Sequence, residues 1–173
     1  METDPLELEN RRAIYQLVAR FPGIHLRDVQ KRMELSMGVL EYHLNYMVKR
    51  GILSAQTDGY RRTYFVREEV QHPDKPTLAL LRQEVPRRMI VYLLLGGKRG
   101  FKDLVEEIGM SRSTTSFHLK KLTESGLVRA ERSGREMVYW IADPERTANL
   151  IITYKESFLD SVVDRFVDAW LKL

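Results

Sequence analysis

The sequence predicts a mainly α fold with small β-hairpin wings, an α+β architecture of two tandem winged helix-turn-helix domains followed by a C-terminal helix. Three observations predict it. Ser36, His43, Leu44, Gly51, Gly59 and Tyr64 recur as Ser111, His118, Leu119, Gly126, Gly134 and Tyr139, each 75 residues further on. Each copy runs apolar helix, short helix, turn, Ser-opened helix closed by glycine, and two short strands around a glycine turn. Positive charge follows the copies: residues 10–70 carry +5 and residues 82–143 carry +4, against −4 in residues 1–9 and −1 in residues 144–173.

In the first copy, Asp4-Pro5 is a helix-start signal, and Leu6, Ala13, Ile14, Leu17 and Val18 then keep helical spacing until Phe21-Pro22-Gly23. Leu26 to Met33 predicts a short second helix. Ser36 to Lys49 predicts a third, with Ser36 as N-cap and Gly51 just past its end. Ile52–Ala55 and Thr63–Val66 read as strands joined through Asp58-Gly59, a hairpin turn dipeptide.

Gln71-His-Pro-Asp-Lys-Pro76 combines two prolines with polar neighbours and predicts a linker, with a short helix over Thr77 to Gln83 before Pro86 restarts the chain. The second copy then runs as helices over Arg87–Leu95, Phe101–Ile108 and Ser111–Ser125, and strands near Leu127–Ala130 and Met137–Ile141 about Ser133-Gly134. Gly96-Gly97-Lys98-Arg99-Gly100 lacks the spacing of a phosphate loop and follows a helix, so it reads as a helix-ending turn.

From Asp143-Pro144 one amphipathic helix is expected to reach the C-terminus, with Leu150, Ile151, Tyr154, Phe158, Leu159, Val162, Val163, Phe166, Val167, Trp170 and Leu171 on a face too wide for a surface helix. A partner subunit would cover part of it. The expected organisation is therefore a first domain over residues 1–70, a linker over 71–83, a second domain over 84–143 and a dimerisation helix over 144–173.

The chain has no cysteine, which excludes disulfides, thiolate metal sites and cysteine nucleophiles. The two repeat-related histidines have no clustered partners, so no metal site is expected, and they read instead as partly buried hydrogen-bonding groups or phosphate contacts. No nucleophile–base set, paired-carboxylate motif or nucleotide fingerprint appears, and neither enzyme activity nor a cofactor is expected. The acidic N-terminus lacks the features of a signal peptide, and no apolar run approaches a membrane span. The expectation is a cytoplasmic protein with no membrane partner.

With Thr115, Leu119 and Leu122 turned inward, Ser111, Arg112, Ser113, Thr114, Ser116, Phe117, Lys120 and Lys121 supply the outer face or N-terminal end of the second long helix, where short polar groups and cations meet base edges and phosphates. Arg132 and Arg135 flank its wing turn. The first copy presents Met37, Gly38, Glu41, Tyr42 and Asn45 instead, so its phosphate attraction would come from Arg27, Lys31, Lys49, Arg61 and Arg62. A solvated helix face with an N-cap serine is the plainer reading of these residues.

The segment Ser111-Arg-Ser-Thr-Thr-Ser-Phe-His-Leu-Lys-Lys-Leu122, closed by Gly126-Leu127-Val128, resembles the recognition helix and following strand of ArsR/MarR-type winged-helix transcriptional regulators. Ser36 through Leu53 resembles the same pattern with departures at Gly38, Glu41 and Tyr42. Tandem regulators of this look are familiar among archaea. The resemblance implies sequence-specific binding of double-stranded DNA, with the thiolate ligands of metal-sensing members having no counterpart, and a dimer would favour an inverted-repeat operator. Two other readings stay open: an adaptor whose winged helices dock proteins, favoured by the charge-poor first recognition helix and the apolar C-terminal face, and single-strand or RNA binding through Tyr42, Tyr46, Tyr60 and Phe117. A small-molecule effector, its identity and the sign of regulation are not legible.

Overall fold

The computed structural model describes residues 9–67, 69–70 and 72–173. The expected helix start at Asp4-Pro5 and Leu6 lies outside them. The chain divides into two compact units between Lys75 and Pro76, each with its own three-stranded antiparallel sheet.

The first unit runs α1 (Glu9–Arg20), β1 (Ile24–His25), α2 (Leu26–Met33), α3 (Met37–Lys49), β2 (Leu53–Asp58) and β3 (Arg61–Val66). Ile14, Val18, Val29, Leu40, Leu44, Met47, Leu53 and Tyr64 meet in its core, which is where the helical and alternating apolar positions have to point. His25 caps α2, its Nδ1 accepting the Arg27 N–H at 3.3 Å. Ser36 caps α3 through the Val39 N–H. Past the C-cap Arg50, Gly51 takes a left-handed φ of +72°, a backbone state that any side chain would strain.

The hairpin strands extend beyond the apolar segments that predicted them. β2 starts one residue late and continues to Asp58, while β3 begins at Arg61, because the ladder pairs Thr57 with Arg62 and Asp58 with Arg61 right up to the turn. A wing arm that stands clear of the core has no buried face, so polarity does not mark its end. β1 was not expected. Two residues are too few to show alternation, and it exists only through its pairing with β3, Ile24 opposite Tyr64.

A 3-10 turn at His72–Asp74 leads into α4 (Lys75–Leu81). The expected linker is therefore helical from Lys75, Pro76 falling in the first turn, where its missing N–H has no intrahelical partner to lose. The second unit continues with α5 (Glu84–Gly96), β4 (Arg99–Gly100), α6 (Phe101–Ile108), α7 (Arg112–Glu124), β5 (Val128–Ser133), β6 (Glu136–Ile141), α8 (Pro144–Thr153) and α9 (Ser161–Trp170). α5 starts three residues before the expected Arg87, with Pro86 inside its first turn instead of before it. β4 again pairs with the far hairpin strand, Arg99 opposite Tyr139, so the glycine-rich segment is a helix end plus a short strand.

The single C-terminal helix is corrected to two. α8, capped by Asp143 through the Arg146 N–H, stops at Thr153; a 3-10 turn over Lys155–Ser157 follows, Leu159 adopts φ +51°, and Asp160 caps α9 through the Val162 N–H. The break resolves the over-wide apolar face, since one straight helix could not bury all of it. α8 inserts Ala148 and Ile151, and α9 packs Val163, Phe166 and Val167 with its contacts on α5. Among the described residues no helix is long and apolar enough to cross a membrane.

Candidate nucleic-acid interface

In the second unit the cap comes first. The Ser111 hydroxyl accepts the Thr114 N–H at 3.1 Å and lies 2.8 Å from the Thr114 hydroxyl and 3.0 Å from that of Ser113, starting α7 squarely at Arg112. Thr115, Leu119 and Leu122 are buried as the spacing requires. Arg112, Ser113, Ser116, Phe117 and Lys120 are all exposed, whereas Thr114 and Lys121 are half-buried. Lys120 pairs loosely with Glu124 one turn on, at 3.8 Å with both side chains largely in solvent, an arrangement that leaves its charge available.

Arg112 is not a free-swinging cation. Its guanidinium stands 5.0 Å from the centre of the Phe101 ring, which anchors it at the first turn of α7. Phe101, Lys102, Arg112, Ser116, Arg135 and Tyr139 surround a cleft of about 320 Å³ between α7 and the wing. One wall is Glu136, whose carboxylate accepts the Lys102 N–H at 3.2 Å. Gly100 leaves room for it: a Cβ there would sit 2.4 Å from that oxygen. The cleft thus offers cations at its rim and one fixed acceptor in its wall. At the wing, Arg132 and Arg135 are exposed, and the Arg132 Nε donates to the Gly134 carbonyl across the turn at 3.3 Å.

The first unit has the same scaffold and a different surface. Gly38, Glu41, Tyr42 and Asn45 are exposed on α3 and Met37 is half-buried, with Arg27, Lys31 and Lys49 exposed around them. Its wing cation is tied down: Arg62 Nη1 donates to Asn45 Oδ1 at 3.0 Å, and its guanidinium lies 5.4 Å from the Tyr64 ring. Arg61, also half-buried, faces His25, whose pKa is lowered below 6.5 first by burial and then by that charge. The residues expected to attract phosphate are therefore partly engaged within the unit.

The repeat-related histidines differ. His43 is buried, its pKa lowered by burial and then by Arg11, and its Nδ1 has no hydrogen-bond partner among the described residues. His118 is half-buried. Neither belongs to a group of three or more potential metal ligands among the described residues. The sequence reading missed Phe101, Lys102 and Glu136. Lys102 had a signal, since it stands 75 residues after Arg27, which that reading did select; Glu136 had none, because its partner is a backbone N–H on another element.

The family described as bacterial regulatory protein, ArsR family, matches residues 85–130, and a family described as an N-terminal HTH domain matches residues 8–78. The chain is 27% identical over 133 residues to an uncharacterized HTH-type transcriptional regulator, MJ1398, of Methanocaldococcus jannaschii, covering 77% of this chain and 33% of that protein. It is 33% identical over 82 residues to a probable mercury resistance operon repressor of Streptomyces lividans, covering 47% of this chain and 65% of the relative. The chain thus spans a third and just under two thirds of these two relatives. Among solved structures, the transcriptional repressor BigR from Xylella fastidiosa matches at 24% identity and a TM-score of 0.42, over 46% of this chain and 81% of that one.

Proposed function

We propose that this chain, a winged helix-turn-helix protein of the ArsR/MarR type, is a cytoplasmic transcriptional regulator that binds specific double-stranded DNA and reads it chiefly with its second unit. The observation that carries this is the outer face of α7: Arg112, Ser113, Ser116, Phe117 and Lys120 stand exposed over a fully buried inner row. A helix so seated enters a major groove with hydroxyls and cations toward base edges, while Arg132 and Arg135 on the wing meet neighbouring phosphates or the minor groove. Arg112, oriented by Phe101, is suited to a base edge; Lys120, Lys121 and Arg135 are suited to phosphate. A homodimer through the C-terminal segment, where Leu159, Leu171 and Leu173 are exposed, would duplicate these contacts on an inverted repeat.

For the first unit the adaptor reading keeps a specific observation in its favour. The middle of its α3 outer face, Gly38 to Asn45, carries no cation and exposes Val39 and Tyr42, and Tyr60 is exposed at the wing turn. It serves either a second, less electrostatic DNA contact or a protein partner.

The test is fluorescence anisotropy on random duplex DNA across a salt series, with the Arg112→Ala/Lys120→Ala variant alongside. DNA reading by α7 requires tight, salt-steep binding that the variant loses. Weak, salt-flat binding that the variant shares would instead favour the adaptor.

A further inference from the structure

Phe117 is 64% exposed in the middle of α7, and its ring stands edge-on to the His118 ring at 5.2 Å and 75°. The same device occurs at the equivalent position of the first unit, where Tyr42 is 61% exposed and meets the His43 ring at 5.3 Å and 66°. A single exposed aromatic is unremarkable. Two at one register, each propped by the histidine that follows it, mark a position built to hold an aromatic ring out of the core.

The neighbours of Phe117 narrow what it meets. One turn away on the same helix lie Ser113, Thr114, Lys120 and Lys121, hydroxyls and cations that suit an anionic, hydrogen-bonding surface and no apolar one. In a major groove every base edge offers donors and acceptors, which a phenyl ring would leave without partners. The C5-methyl of thymine is the exception, an apolar group that protrudes into that groove.

We infer that Phe117 is a specificity-determining residue that recognises thymine through its C5-methyl group. The inference rests on the proposed duplex reading by α7 and adds to it the identity of one base. Its consequence is a preferred thymine beneath α7 in each operator half-site, set by apolar contact with the ring.

The test uses the duplex that the full chain enriches from a random pool, remade with each thymidine in turn replaced by deoxyuridine, which removes the methyl and keeps the pairing. At one thymine or more the replacement should weaken wild-type binding about fourfold, the size expected for one methyl withdrawn from apolar contact. Phe117→Ala should be insensitive at that same position, and Phe117→Leu should keep the sensitivity. Neutral replacements throughout, or equal losses in wild type and Phe117→Ala, overturn the inference. Duplex binding with either result leaves the proposed function standing. Absence of duplex binding at every salt concentration removes both.

Discussion

Arg87 on α5 and Asp160 at the start of α9 are joined at 2.6 Å although 73 residues separate them, with both side chains largely buried. Each has further partners: Arg87 Nη1 donates to the Leu81 carbonyl at 2.8 Å, and Asp160 Oδ1 accepts the Val162 N–H at 2.8 Å. The pair therefore anchors the end of α4 and the cap of α9 to α5 at once. Removing one partner strands the other, so Arg87→Ala is expected to lower the unfolding free energy by about 3 kcal/mol, measured by urea denaturation. Burial alone would raise the Asp160 carboxyl, but the Val162 N–H and Arg87 outweigh it and hold its pKa below 3.8. A lowered folded-state pKa means stability that is complete above the ordinary value and lost as pH falls through the lowered one. Asp160→Asn should therefore cost stability at neutral pH and flatten the acid limb of a stability-against-pH curve.

His43 acts in the same direction at milder pH. Burial, and then Arg11, hold its pKa below 6.5 in the folded protein. Below that value the unfolded chain takes up the proton first, so the first unit loses stability as pH falls from 6.5 towards the lowered pKa, and is unaffected above it. Thermal unfolding is expected at a lower midpoint at about pH 5 than at about pH 7.5, with a smaller difference in His43→Gln. His25, lowered by burial and by Arg61, retains the remainder.

Thr115 carries a cost that its repeat partner avoids. Its hydroxyl is fully buried under α7 with no hydrogen-bond partner among the described residues, where the first unit has Leu40. Thr115→Val keeps the shape and removes the orphaned group, and should raise stability by about 1 kcal/mol. Because the side chain faces away from the outer surface, the affinity for DNA should not change. Denaturation and anisotropy on the same preparation check both halves.

Local chemistry explains which elements were legible. α2 and α6 lie over the residues expected of them because caps, glycines and apolar spacing all act within a few positions. The outer face of α7 was legible for the same reason: fixing Thr115, Leu119 and Leu122 inward fixes the rest. β1 and β4 were not, since a two-residue strand is defined by a partner some 40 residues away. Nor was the break between α8 and α9, where helical spacing runs straight through. It is held by Arg87 on Asp160 and by Arg82 on the Ser157 carbonyl and hydroxyl, contacts made across the fold. The engagement of Arg62 with Asn45 was hidden likewise, and it alters the reading of the first unit more than any boundary does.

That engagement separates two wing arginines that look alike in sequence. Arg62 is half-buried, bonded to Asn45 and set against Tyr64, while Arg135 is exposed at the rim of the cleft beside α7. Arg62→Ala should therefore act on the fold, costing about 1 kcal/mol from the lost hydrogen bond and ring contact, and leave the salt dependence of DNA binding as in wild type. Arg135→Ala should do the reverse, preserving the unfolding transition while weakening all duplexes alike and lowering the salt slope by about 1. Salt slopes and urea midpoints measured on the two variants decide between this division and a symmetric use of both wings. If Arg62→Ala lowers the slope as much as Arg135→Ala does, the first unit holds phosphate with the same cation, despite its hydrogen bond to Asn45.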